Sequence, residues 1–160
     1  MVVFYLDFDG VVTTDRYRDL MGQSLNPFLV AEVVALVQAA GGRVVVSSTW
    51  RVDADCRDKL AQAGFPLALL HPDWRTPLPA GDGVDFATGD RLPAVDLTRG
   101  QEIDLHAQAN GVTRFVVLDD DTAMLDHQRP WHVATNPKKG FGPADAERVR
   151  TLTARHHAQA

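Results

Sequence analysis

Apolar positions follow two rhythms along this chain. Val2-Val3-Phe4-Tyr5-Leu6 is an unbroken β-branched and aromatic run ending in Asp-Phe-Asp-Gly, which predicts a strand buried on both faces that opens into a loop. Asn26-Pro27 supplies an N-cap and a first-turn proline. Leu29, Val30, Val33, Val34 and Val37 then recur at helical spacing until Gly41-Gly42 ends the helix. Val44-Val45-Val46 predicts a second buried strand ending in Ser47-Ser48-Thr49, and Asp53 is placed to cap a helix running to Ala63 before Gly64. Pro66 to Leu70 predicts a short third strand. Residues 71 to 97 are rich in Pro, Gly and Asp and predict a long irregular connection, a kind of segment that is often functional in a compact domain.

The pattern resumes at Thr98, where Thr98 to Gln101 has capping-box spacing. Ile103, Leu105 and Ala109 give that helix part of an apolar side, and Gly111 closes it. Phe115-Val116-Val117-Leu118 predicts a fourth buried strand ending in Asp119-Asp120-Asp121, and Trp131 to Ala134 a fifth. Pro143 opens a last helix to about Ala154, with a frayed tail from Arg155 onward. Strands alternating with helices predict an α/β fold: a Rossmann-like three-layer sandwich whose mostly parallel five-stranded sheet carries helices on both faces, as one domain over residues 1–160. Such sheets bind ligands beyond the carboxyl ends of their strands. Three buried strands here end in chemically useful groups: Asp7 and Asp9, Ser47 and Ser48, Asp119 and Asp120.

Composition narrows the picture. The net charge of -5 argues against nonspecific coating of nucleic acid, which needs many phosphate-neutralising Lys and Arg, but leaves room for a local basic pocket. The single cysteine, Cys56, excludes an internal disulfide framework, and its place within a helix favours packing over chemistry. No apolar run approaches the roughly 20 residues needed to span a bilayer, so no membrane partner is expected. The apolar start lacks a basic flank and is cut short by Asp7, so the expected location is cytoplasmic.

Asp7, Asp9, Asp119 and Asp120 are expected to converge. Two carboxylates about 4 Å apart repel by about 4 kcal/mol at an effective dielectric of about 20, so the cluster calls for a cation or for protonation. An all-oxygen carboxylate site suits Mg²⁺, which keeps several waters and pairs with substrate phosphate.

These residues resemble the haloacid dehalogenase (HAD) superfamily. Asp7-Phe8-Asp9-Gly10-Val11 after an apolar strand is similar to its first motif, and Ser47, with Ser48 as the alternative, to its second. Arg99 at the start of a later helix matches the third, and Asp119-Asp120 the last. Ser47-Ser48-Thr49-Trp50-Arg51, Arg99-Gly100-Gln101-Glu102-Ile103 and Leu118-Asp119-Asp120-Asp121 look more narrowly like small, capless HAD domains, some of which occur within RNA-repair proteins. Some of that subgroup carry a further acid where Ala123 stands, for which Asp121 or Asp126 are the candidate substitutes.

The resemblance implies a phosphatase that uses Asp7 as nucleophile, through an aspartyl-phosphate, and Asp9 as general acid and base. It implies Mg²⁺ held by the Asp7 carboxylate, the Asp9 backbone carbonyl and Asp119 or Asp120. Ser47 and Arg99 would bind phosphoryl oxygens, with Lys59, then Arg114, as fallbacks for the cation. Trp50 and Arg51 are candidate substrate contacts; His71, Trp74 and Arg75 are weighted towards structure, and Lys138-Lys139 and His156-His157 towards solvated segments.

Simpler readings compete. Asp-x-Asp-Gly can be a plain turn or a calcium loop, but Arg18 stands where such a loop needs glutamate. Asp9 and the acidic pair count against a metal-free dehalogenase. Val116-Val117-Leu118-Asp119-Asp120-Asp121 looks like the opening strand of a phosphoacceptor receiver, but the stretch after Asp121 is short for the rest of one. A catalytically weak HAD-like binding domain is a further rival. The stretches from Val11 to Asn26 and from Ala63 to Arg99 are too short for large caps, so an open site with minimal or no cap is expected. The expected substrate is a nucleotide or nucleic-acid terminal phosphate, with phosphoproteins and small metabolites as alternatives.

Overall fold

A computed structural model describes residues 1–78, 87–89 and 96–160. The four-residue run Val3–Leu6 forms β1, buried at every position. Arg43–Val46 forms β2, Leu70–Arg75 β3, Phe115–Asp119 β4 and His132–Ala134 β5. All four pairings are parallel, and the sheet order is β3-β2-β1-β4-β5. The helices are α1 (Asp15–Met21), α2 (Pro27–Ala39), α3 (Cys56–Gln62), α4 (Arg99–Ala109) and α5 (Pro143–Ala158).

The period-two alternation of strand side chains divides the core between the two faces of the sheet. Phe4, Leu6, Val44, Val46, Val116 and Leu118 pack with Val33 and Val37 of α2, Leu60 of α3, and Val149 and Leu152 of α5. Val3, Tyr5, Val45, Phe115 and Val117 pack with Ile103 and Ala107 of α4. This is the expected Rossmann-like three-layer α/β arrangement. The register aligns Leu6 with Val46 on one side and Leu118 on the other, so the next residues, Asp7, Ser47 and Asp119, emerge side by side.

Several boundaries differ from the sequence reading. Helix α1 carries no apolar stripe and buries no residue, so periodicity misses it; it is held by the Thr14 side-chain cap and stopped at Gly22. The expected strand at 66–70 is instead a 3₁₀ turn, Leu67–Leu69, and the strand begins only at Leu70. Residues 71–75, assigned from sequence to an irregular connection, are the body of β3, whose Pro72 is tolerated because this is an edge strand. Of the rest of that connection, residues 79–86 and 90–95 lie outside the described residues.

Asp53 does not cap α3; its N–H closes the 3₁₀ turn Thr49–Val52 onto the Trp50 carbonyl, and the helix starts at Cys56. Trp131 belongs to a 3₁₀ turn before β5. The tail is not frayed at Arg155, because α5 continues to Ala158. His156, expected to be solvated, is buried there, with Nε2 2.9 Å from the Phe115 carbonyl and its ring stacked on Trp131 at 3.9 Å. Between β1 and α2 the chain inserts only the two-turn α1, which is no large cap. Among the described residues, no helix is long and apolar enough to cross a membrane.

Candidate active site

Backbone pairing carries past the strand ends and fixes the loops that hold the polar groups. The Asp7 N–H donates to the Leu118 carbonyl and the Ser47 N–H to the Leu6 carbonyl, each at 2.9 Å. Asp7 is 4% exposed and Asp119 is fully buried, and Asp120 follows at the tip of β4. One carboxylate oxygen from each of Asp7, Asp119 and Asp120 lies within 4.8 Å of the others.

Gly10 makes this crowding possible. Its φ of 77° is strained for an L side chain, and a Cβ there would run into the Asp120 carboxylate. Its carbonyl accepts a hydrogen bond from Thr135 Oγ1 at 2.6 Å, which fastens the first loop to the end of β5.

The electrostatics match the geometry. Burial, followed by the Asp119 charge, pushes the Asp7 carboxyl well above the usual carboxylate range, while Arg99 pulls it back. Burial also raises Asp119, again against Arg99. Arg99 opens α4 behind the capping box of Thr98 and Gln101. Its Nε lies 3.2 Å from Asp119 Oδ2 and its Nη2 3.8 Å from Asp7 Oδ1, close ion pairs. Yet Arg99 Nε and Nη1, Ser47 Oγ and Asp119 Oδ2 are buried without a hydrogen-bond partner. The Arg99 and Asp119 atoms still have each other's charge at 3.2 Å, whereas the buried Ser47 hydroxyl has neither a hydrogen bond nor an ion pair, and leaving such a group unpaired costs about 1–3 kcal/mol.

A glutamine anchors the helix that delivers Arg99. Gln128 is fully buried; its Nε2 donates to the Gly100 carbonyl at 2.8 Å and its Oε1 accepts from the Leu125 N–H at 3.0 Å. Gly100 leaves room for this brace, since a Cβ would meet Gln128 Oε1 and the backbone of Ala123 and Leu125.

The other expected residues take different places. Asp9 does not join the acid cluster with its side chain. Its Oδ2 accepts from Trp50 Nε1 at 3.1 Å and its Oδ1 pairs with Arg18 Nη1. The expectation of four clustered carboxylates is thereby corrected to three. Ser48 accepts from the Trp50 N–H as a turn cap, which leaves Ser47 as the hydroxyl without a partner.

Arg51 is 1% exposed, and its donors go to the carbonyls of Ser48, Thr76 and Pro77 and to Glu102 Oε1. It borders a cavity of about 360 Å³ lined by Thr49, Arg51, Val52, Leu97, Arg99, Glu102 and Asp121. Lys59 lies over the Trp50 ring at 5.1 Å and pairs with Asp55 rather than with the cluster. Arg114 sits at the opposite end of the sheet, where its carbonyl accepts from Val3 N–H.

Among the candidates to replace the acid missing at Ala123, Asp121 caps its own turn through Ala123 N–H and Asp126 pairs with Arg129 at the surface. Arg75 braces the Arg51 carbonyl, Trp74 lies under Arg57 and Arg75, and the His71 ring packs edge-on against His106. Burial raises the Cys56 thiol to about 11, in keeping with a packing role.

Three participants escaped the sequence reading: Arg18, Gln128 and Thr135. Only Arg18 had a nearby signal, since the Asp15-x-x-Arg18 spacing after a capping threonine predicts a helical ion pair.

No curated protein sequence and no solved structure matches the chain. Residues 3–146 match the family model of the HAD domain in Swiss Army Knife RNA repair proteins. That span covers the five strands seen among the described residues and every group of the acid cluster, so by sequence and by site the chain belongs to this HAD family.

Proposed function

We propose that the chain is a Mg²⁺-dependent phosphohydrolase that cleaves phosphate monoesters through an aspartyl-phosphate at Asp7. The observation that carries this reading is the placing of a buried carboxylate, Asp7, beside the Arg99 guanidinium, with a buried Ser47 hydroxyl that has no hydrogen-bond partner at the neighbouring strand end. An anion binding there would meet a nucleophile on one side and donors on the other. Phosphoryl transfer depends on this combination of in-line placement and concentrated positive charge.

In the first step an Asp7 oxygen bonds to phosphorus, the ester P–O bond breaks, and the departing oxygen takes a proton from the Asp9 carboxyl. In the second, water attacks phosphorus and gives a proton to the Asp9 carboxylate while the bond from phosphorus to Asp7 breaks, releasing phosphate. The two steps replace one difficult displacement by two easier ones.

The three crowded carboxylates, all-oxygen donors within 4.8 Å of one another, fit a divalent ion. Asp7, Asp119 and Asp120, with the Asp9 backbone carbonyl, would hold Mg²⁺. Bound there, it supplies positive charge that offsets the acids and the phosphoryl oxygens.

Two features favour a nucleic-acid terminal phosphate as substrate. The family's setting is RNA repair, and the insertion after the first motif is too small to wall off the site. The test is hydrolysis of an aryl phosphate, nucleotides, 5′- and 3′-phosphorylated oligonucleotides, sugar phosphates and phosphopeptides, with Mg²⁺ and with excess chelator. Metal-dependent release of phosphate, strongest on an oligonucleotide end and abolished by Asp7→Asn, is expected. Turnover of sugar phosphates alone would overturn the substrate assignment.

A further inference from the structure

We infer that Trp50 and Arg18 are positioning residues for Asp9, a two-sided hold that keeps its carboxyl aimed away from the acid cluster and towards the departing oxygen. The inference rests on the phosphohydrolase reading above.

Asp9 stands two residues after the nucleophile, where a free side chain could turn into the cluster. It does not, because each oxygen has its own donor: Trp50 Nε1 at 3.1 Å on Oδ2, and Arg18 Nη1 on Oδ1. The donors come from separate elements, one from the turn after β2 and one from α1. The hold is itself held. Trp50 is 5% exposed, meets Phe8 edge-on at a centroid distance of 5.6 Å, and has Lys59 over its ring. Arg18 is fastened on its other nitrogen by Asp15, within a helix that has no buried side chain of its own.

The Asp9 side chain is nevertheless 43% exposed, so a substrate oxygen can reach it. A carboxylate oxygen has two lone pairs, and one donor on each leaves one free for proton exchange. Fixing the rotamer in advance spares the transition state that ordering, and a misplacement of about 1 Å can cost about a hundredfold in rate.

Trp50 also packs, so a loss of activity alone would not separate positioning from support of the loop. Leaving-group acidity does. General-acid help matters for a basic leaving oxygen and little for an acidic one. The ratio kcat/KM covers the steps through departure of the leaving group and excludes hydrolysis of the intermediate.

The experiment compares phenyl phosphate with 4-nitrophenyl phosphate for wild type, Trp50→Phe, Arg18→Gln, Arg18→Lys and Asp9→Asn. Asp9→Asn sets the full differential. Trp50→Phe keeps an aromatic ring in the packing, though a smaller one, and removes the N–H donor; it is expected to lower kcat/KM for phenyl phosphate by about tenfold or more, and for the nitrophenyl ester by a clearly smaller factor. Arg18→Gln is expected to follow the same pattern, with partial recovery in Arg18→Lys, and serves should the tryptophan variant misfold. Equal losses on the two esters in both variants, with an active wild type, would overturn the inference alone. A wild type inert towards both esters and towards every phosphorylated substrate named above would overturn the phosphohydrolase reading and this inference with it.

Discussion

Arg51 Nη2 donates to Glu102 Oε1 at 2.9 Å, a buried ion pair that ties the turn after β2 to the helix carrying Arg99. The remaining Arg51 donors hold the backbone of Ser48, Thr76 and Pro77. Removing one partner of such a pair leaves the other as a poorly compensated charge, at a cost of about 3–5 kcal/mol. We expect Arg51→Ala to lower unfolding free energy by about that amount in urea titrations. A change within about 0.5 kcal/mol, ordinary for a surface substitution, would show that the brace carries little.

Gly10→Ala should damage both stability and turnover. The substitution places an L side chain at a positive φ, which costs about 1–2 kcal/mol, and drives its methyl into the Asp120 carboxylate. Gly41→Ala is the control: its φ is 61° and a Cβ there meets nothing within 4 Å. Thermal unfolding paired with a phosphatase assay should find both variants destabilised and only Gly10→Ala impaired in turnover.

Without metal, the Asp120 charge acts against that of Asp119 beside it. Asp120→Asn should therefore stabilise the metal-free protein, by on the order of 1 kcal/mol. Mg²⁺ should stabilise the wild type by about 2.7 kcal/mol at a hundredfold excess over its Kd, and the variant by less. Thermal shifts with and without Mg²⁺ measure both effects. An ion that leaves wild-type unfolding unchanged would argue against the metal assignment.

His106 should make stability pH-dependent. Its Nε2 lies 2.8 Å from the Asp73 carbonyl, an acceptor only, so this nitrogen carries the proton and Nδ1 accepts from the Tyr5 hydroxyl at 2.9 Å. Burial lowers its pKa; hydrogen bonding to the Asp73 carbonyl and the Asp73 charge oppose this, while His71 adds to it. A lowered histidine binds fewer protons folded than unfolded, so its contribution is present above the ordinary value of about 6.5 and lost as pH falls below it. Comparison with His106→Gln isolates this group from the acids of the site. The cost of the substitution, measured by denaturant unfolding, should shrink between about pH 8 and about pH 5. A cost that grew on acidification would contradict the burial argument.

The parts of the molecule legible from sequence are those where one local rule acts alone. β1, β2 and β4 are apolar at nearly every position because both faces are covered, and α4 announces itself through Thr98 and Gln101. Asp7, Ser47 and Asp119 were legible as neighbours because parallel strands in register end together.

What stayed hidden depends on tertiary partners. α1 has no buried face to betray it, and β3 contains a proline that only its edge position permits. Arg51 has the composition of a surface cation, and nothing nearby in the chain foretells the carbonyls of Thr76 and Pro77 that bury it. The Asp9 partners lie 9 and 41 residues away, on elements whose orientation the local sequence does not set.

The central claim is that Asp7 itself takes the phosphoryl group. The direct measurement is rapid acid quench during turnover, followed by borohydride reduction and tandem mass spectrometry of the peptide containing residue 7. A phosphorylated aspartate is reduced to homoserine, so the account predicts homoserine at position 7 only when substrate is present, and none in Asp7→Asn. Full turnover with Asp7 recovered unmodified, or an Asp7→Asn chain that hydrolyses at the wild-type rate, would contradict it.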